Sequence, residues 1–246
     1  MGKIRSLLGR AFLKAAFTID PPKPFVEISD DYVKWLCFAN AGMLDKRNLY
    51  LIDRAFSELR SGGPILEIGS FCGLSANVLT HYKRKHGLRN RLMTCDKWDF
   101  ENDDRDNRQV GGSPVLFSDY KTFVRESYIR NTRMFSADDL PYTIEATSDE
   151  FFAAWREKKD AHDLIGRTIA LGGPLSFCYI DGNHSYEGAK ADFLNCDKFL
   201  ENGGFLLFDD STIESFGVRN LMPEVTASGR YELVAANPNH LFRKIK

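Results

Sequence analysis

The sequence predicts an α/β fold: a mostly parallel sheet with helices on both faces and an antiparallel C-terminal hairpin at its edge. Three observations predict it. Short apolar runs alternate with helical stretches from residue 64 onward. The connections between runs are long enough for helical crossovers between parallel strands. A final pair of runs is separated only by Asn237-Pro238-Asn239, the spacing of a hairpin. With 43% apolar and 27% charged residues in 246, the chain can bury a sizeable core and is not a disordered sequence.

Residues 1–28 read as a helical arm and Pro-rich linker ahead of one domain spanning 29–246. In the arm, Ile4, Leu7, Leu8 and Phe12 recur at helical spacing among Lys3, Arg5, Arg10 and Lys14, and Pro21, Pro22 and Pro24 stiffen the linker. The simpler reading is a helix that packs on the domain or on a second copy in a homo-oligomer. Contact with a membrane surface is the other reading, and Gly2 with Ser6 fits a loose myristoylation pattern that would assist it.

A helical pattern covers 29–60, with Tyr32, Trp35, Leu36, Leu49, Leu51, Ile52, Phe56 and Leu59 as apolar candidates, and Gly62-Gly63-Pro64 stops it. Strands are expected at 64–70, 91–96, 142–146, 175–181 and 204–210, and helices at 74–85, 118–137, 149–168 and 185–200. The last helix should bury Ala189, Phe193, Cys196 and Leu200. Right-handed crossovers between such strands give a Rossmann-like sheet. The polar stretch 101–113 reads as a long exposed loop, a candidate lid over an acceptor together with Trp98 and Phe100. Trp155 and the aromatics Tyr120, Phe123 and Tyr128 read instead as core or interface.

A formal net charge of -1 removes the electrostatic case for a nucleic-acid partner and leaves small molecules as the expected class. Five scattered cysteines, never in a C-x-x-C pair, read as thiols of a reducing compartment. No apolar run approaches the roughly 20 residues of a membrane span, and no cleavage site follows the basic start, so a cytoplasmic location is expected.

The sharpest local signal is Ile65-Leu66-Glu67-Ile68-Gly69-Ser70-Phe71-Cys72-Gly73-Leu74-Ser75, a buried strand that enters a two-glycine turn and then a helix. Gly69 would allow the sharp turn, and Gly73 would clear space where a ligand approaches the main chain. The spacing E-x-G-x-x-x-G lacks the extra glycine that admits a pyrophosphate. Asp96 stands at the tip of the next strand, where a carboxylate can take both ribose hydroxyls. Together these point to an adenosine-containing ligand without pyrophosphate. The competing reading is a plain βα turn followed by a helix-capping Asp.

Two further segments carry a resemblance. Phe177-Cys178-Tyr179-Ile180-Asp181-Gly182-Asn183-His184-Ser185-Tyr186-Glu187 ends a strand on IDGxHxYE, and Gly203-Gly204-Phe205-Leu206-Leu207-Phe208-Asp209-Asp210 reads GGxxxxDD. With the glycine loop, roughly residues 64 to 211 resemble the class I methyltransferases that act on small molecules and sugars. The resemblance implies S-adenosylmethionine (SAM) as cofactor. It also implies that Glu67, Gly69, Ser70 and Gly73 shape its methionine end, that Asp96 binds its ribose and that Ser148 lies near its adenine. The implied reaction is methyl transfer to a small-molecule acceptor, expected at a hydroxyl.

Asp181, Asp209 and Asp210 also make sense without the resemblance. Ligands of open α/β sheets bind at the carboxyl ends of strands, and three carboxylates meeting there suit a hard cation such as Mg²⁺. The alternative is that Asp181 caps the next helix and the acidic pair lines a solvated pocket without metal. His184, close behind Asp181, is a candidate general base, metal ligand or loop-ordering group. Sugar-methylating relatives carry a carboxylate where this chain has Asn183, a departure that bears on the base. Two other functions compete: a SAM-binding module without turnover, and a nicotinamide-dependent Rossmann oxidoreductase, which the glycine spacing disfavours.

Overall fold

The computed structural model describes residues 25–99 and 109–246. The N-terminal arm and most of the 101–113 loop, with Phe100, therefore lie outside the described residues. Two helices come first, α1 (Asp31–Ala39) and α2 (Asn48–Glu58). They are followed by β1 (Ile65–Ile68), α3 (Leu74–Lys85), β2 (Leu92–Cys95), α4 (Phe117–Phe135), β3 (Tyr142–Ile144) and α5 (Ser148–Arg156). Next come β4 (Asp160–His162), β5 (Thr168–Ala170), β6 (Leu175–Ile180), α6 (Tyr186–Phe199) and β7 (Leu200–Phe208). The chain ends with α7 (Val218–Ala227), β8 (Tyr231–Ala236) and β9 (His240–Lys244).

A seven-stranded sheet runs in the order β3-β2-β1-β6-β7-β9-β8. β1, β2, β3, β6 and β7 are parallel, whereas β9 is antiparallel to both β7 and β8. The expected edge hairpin is therefore present. Side-chain alternation in β6 explains the two layers of helices. Phe177 and Tyr179 pack on one face with α1, α2 and α3, and Cys178 and Ile180 pack on the other with α5, α6 and α7. The expected face of α6 is buried, with Ala189 and Cys196 at 0% exposure. Among the cysteines, only Cys37 is not fully buried, and all five are free thiols.

Register decides where a site can form. Ile68 pairs with Cys95 and with Ile180, and Ile180 pairs with Phe208. Four strands thus stop at one level, and Gly69, Asp96, Asp181 and Asp209 leave the sheet side by side. The strand order reverses between β1 and β6, the position where sheets of this kind open a crevice.

Several expectations are corrected. The pattern over 29–60 is two helices, because Asn40 is extended and its side-chain amide donates to the carbonyls of Ala41 (2.8 Å) and Cys72 (3.0 Å). Trp35 is not core, at 54% exposure. The helix expected over 149–168 ends at Arg156; beyond it no apolar stripe continues, and β4 and β5 form a separate two-stranded hairpin. Asp163 closes that hairpin by accepting from the backbone of Arg167 at 2.7 Å and its Nε at 2.6 Å. Helix α7 is an addition to the expected elements, since Pro223 interrupts its sequence pattern. No helix among the described residues is long and apolar enough to cross a membrane.

Candidate functional site

The glycine loop is held from two sides. Gly69 has φ +83°, and a Cβ there would fall 2.0 Å from the carbonyl oxygen of Asp181, so β1 and β6 can end this close only with glycine. Gly73 also has positive φ, +85°, but a Cβ there would meet Tyr128 and Thr132 of α4 at 3.1 and 3.2 Å. On that side the space it clears is taken by α4. The side chains of Asn40 and Asn131 both donate to Cys72 O, fastening the loop to α1 and α4.

Asp96 braces the same loop from β2. Its Oδ2 accepts from the backbone amides of Ser70 (2.7 Å) and Phe71 (3.0 Å), and its Oδ1 from Trp98 N at 2.6 Å. Burial raises its carboxyl above the usual range, against those three amides. Trp98 is itself buried, with φ +53°, and its indole donates to Phe71 O at 2.9 Å. It is therefore a floor beneath the loop and not a cover over an acceptor. Tyr128 and Trp155 are buried as expected of core, whereas Phe123 is 61% exposed.

Glu67 lies wholly inside, under the turn. Its Oε2 accepts from Ser70 Oγ at 2.9 Å, while Oε1 has no hydrogen-bond partner among the described residues. Burial pushes this carboxyl up to about 7, against the Ser75 and Ser70 hydroxyls that favour its charged form. A carboxyl whose pKa is higher folded than unfolded stabilises fully below the unfolded value, and the benefit is lost as pH rises toward 7. Glu67→Gln should therefore be more stable than the native chain at pH 8, by on the order of 1–3 kcal/mol, with the difference vanishing near pH 4. Thermal melts of both proteins across that range check it.

Ser148 begins α5 behind its N-cap Thr147, which forms a capping box with Glu150. Its hydroxyl donates to Asp192 of α6. Asp192 is buried, which pushes its carboxyl up to about 6 despite that bond.

The acidic strand ends divide in a way the residue types do not announce. Asp181 and Asp210 converge with His184: His184 Nε2 is 3.2 Å from Asp210 Oδ2 and 3.8 Å from Asp181 Oδ1. One ligand-type atom from each of the three lies within 4.8 Å of the others. Yet Nε2, although buried, makes no aligned hydrogen bond among the described residues, so it sits between the carboxylates without being tied to either. The ring is held flat against Phe216 at a centroid distance of 4.5 Å. Asp210 has φ +51°, which turns its carboxylate towards the histidine.

Asp209 faces the other way. It is 4% exposed, and its Oδ1 accepts from Asn48 Nδ2 and from the backbone of Asp210, both at 2.9 Å, and from Asn239 Nδ2. Tyr179 donates its hydroxyl to Oδ2. With these partners in the interior, Asp209 does not join Asp181 and Asp210, and His184 takes the place expected for it. Burial, then the charges of Asp209, Asp210, Glu67 and Asp96, hold the Asp181 carboxyl well above the usual range. Asp210 is raised by burial and by Asp209, with His184 acting against them. The cluster carries more negative charge than it has cations to offset.

A sheet ordered in this way, with a glycine turn and an acidic cluster at the carboxyl ends of its strands, is the arrangement expected of a class I methyltransferase. Residues 66–211 match the family model described as a methyltransferase domain, and the chain belongs to that family. The nicotinamide-dependent alternative falls with this assignment. Comparison with curated proteins gave no match. Among solved structures, the fold is similar to an O-methyltransferase from Bacillus cereus in complex with SAH, at 14% identity and TM-score 0.57, covering 94% of this chain and 96% of that one. It is similar to an SAH-bound methyltransferase from Podospora anserina, at 13% identity and TM-score 0.56 over 97% and 96% of the two chains. A calicheamicin methyltransferase gives 15% identity and TM-score 0.53 over 89% and 95%. At these identities the likeness is one of fold.

Proposed function

We propose that the chain transfers the methyl group of SAM to a hydroxyl of a small-molecule acceptor held at the ends of β6 and β7. The observation that carries this reading is the convergence of Asp181, His184 and Asp210 beside the glycine loop. Solved proteins of the same fold that are named O-methyltransferases, one of them a TDP-rhamnose 3'-O-methyltransferase, support the choice of oxygen.

In this reading Glu67, Gly69, Ser70 and Gly73 shape the methionine end of SAM, and the unpartnered Oε1 of Glu67 suits an ammonium group. Asp96 keeps lone pairs beyond those given to the loop amides and would accept from the ribose hydroxyls. Ser148 would border the adenine. Displacement at a sulfonium carbon asks mainly for a nucleophile held in line and kept dry, which the strand-end crevice is placed to do.

Asp181, Asp210 and His184 fit a divalent cation such as Mg²⁺: two carboxylate oxygens and an unaligned imidazole nitrogen face one small space, with uncompensated negative charge around it. The cation, when bound, would lower the pKa of the acceptor hydroxyl and fix its direction. A second reading dispenses with it. The position of Nε2 beside Asp210 also suits a base that takes the hydroxyl proton and is stabilised as a cation by that carboxylate.

Calorimetric titration of SAM, with and without Mg²⁺, tests the reading. Micromolar binding is expected, lost in Asp96→Ala, with a thermal melt confirming that the variant is folded. Absence of SAM binding by the native chain would overturn the assignment of donor. Magnesium heat that persists in Asp210→Asn would remove the cation and leave His184 as base.

A further inference from the structure

Helix α6 sends a carboxylate up to the level of the strand ends. Asp192 is 3% exposed, and its Oδ1 accepts from Ser148 Oγ at the start of α5. Its Oδ2 lies against the backbone at the end of β6, since a Cβ on Gly182 would fall 3.0 Å from it. Among the described residues Oδ2 has no hydrogen-bond partner, yet it is not sealed from solvent. On the reading of SAM as methyl donor, we propose that Asp192 determines which base the cofactor site admits, its Oδ2 accepting from the exocyclic amino group of adenine.

The place of the base follows from the rest of the cofactor. In SAM the ribose carries the sulfonium and its methionine chain at one end and the base at the other. With the ribose at Asp96 and the methionine at the glycine loop, the base extends away from that loop, towards β3 and α5. There β2 and β3 end together, with Asp96 N donating to Ile144 O at 3.3 Å, and Lys97 pairs with Glu150 of α5 at 3.0 Å. The start of α5 and the end of β6 then border the base, and the Asp192 carboxylate reaches both.

Chemistry selects the amino group. An ionised carboxylate accepts hydrogen bonds and donates none. The adenine ring of a nucleoside offers it one N–H donor group, the amine at C6, whereas the ring nitrogens are acceptors. Fastening α5 to α6 does not require the charge. Asn195 Nδ2 already donates to Asp149 Oδ1 at 2.7 Å, and a neutral side chain at 192 would hold Ser148 without burying an ion. The second oxygen of Asp192 is thus left over from the bonds that the fold itself makes.

The test compares S-adenosylhomocysteine (SAH) with S-inosylhomocysteine, in which a carbonyl replaces the amino group at C6. Calorimetry at pH 8 measures both where the Asp192 carboxyl, pushed up to about 6 by burial, is charged. The native chain should bind SAH about tenfold more tightly or better. In Asp192→Asn the side-chain carbonyl keeps Ser148 and the amide turns its N–H towards the base. SAH should then weaken about tenfold or more, S-inosylhomocysteine should tighten, and the preference should invert. A purely structural Asp192 would weaken both ligands alike, and a thermal melt confirms that the variant is folded. Ser148→Ala keeps the carboxylate and should keep the preference. Equal native affinity for the two ligands, parallel weakening in Asp192→Asn, or a preference lost in Ser148→Ala but kept in Asp192→Asn would each overturn the assignment. A native chain that binds neither ligand would overturn the SAM reading beneath it as well.

Discussion

Asp181→Asn is expected to lower methyl transfer by about 10³-fold while leaving SAM affinity within a factor of a few. The substitution preserves shape and removes the charge that faces Asp210 and His184. SAM would meet Glu67, the glycine loop and Asp96, none of which hydrogen-bonds through the Asp181 side chain. Binding and turnover should therefore separate. Single-turnover kinetics with radiolabelled SAM, beside a calorimetric titration, measure both. Turnover close to native in Asp181→Asn would mean that the strand-end cluster is not where the methyl group moves. Full loss with no acceptor methylated by the native chain would instead favour a binding module without turnover.

The second large effect falls on a residue with no free oxygen for a substrate. Asp209→Ala leaves Tyr179, Asn48 and Asn239 buried without their acceptor and removes the side chain that receives the amide of Asp210. Breaking a buried, charge-assisted set of this kind costs about 3–5 kcal/mol. For a domain of this size that is a fall in Tm on the order of 10 °C, readable by calorimetry or far-UV dichroism. A melt unchanged within a degree or two would contradict the buried network. Asp209→Asn separates fold from function: it keeps the shape and one carbonyl acceptor, so most of the stability should return.

This pair of aspartates shows what a sequence can and cannot disclose. The glycine loop, Asp96 and the succession of strands are legible because each is a local signal: an apolar run, a turn residue, a carboxylate at a tip. The division of labour between Asp209 and Asp210 is not. It depends on the left-handed backbone of Asp210 and on Asn48 and Asn239, which arrive from α2 and from the terminal hairpin. Nothing in the string Phe208-Asp209-Asp210 reports partners so distant in the chain. His184 stands out as a candidate from its position behind Asp181, but its place in the cluster depends on the 211–217 loop, which lays Phe216 on its ring. The β4–β5 hairpin escapes the sequence for the opposite reason: its strands are short and largely exposed, so they carry no hydrophobic period. Helix α7 escapes it because proline usually marks a helix end.

The contact of Asn239 with Asp209 has a consequence for how the chain is made. Translation delivers the glycine loop, Asp96, Asp181, His184 and Asp210 well before residue 239. A nascent chain that has emerged as far as α7 can pair its five parallel strands, yet β7 is still an open edge and the Asp209 carboxylate lacks one of its amides. Only when the β8–β9 hairpin closes are the edge covered and the acidic turn locked. Completion of the acidic turn is thus coupled to synthesis of the β8–β9 hairpin, and a nascent chain that stops short of Asn239 lacks one of the groups that lock it.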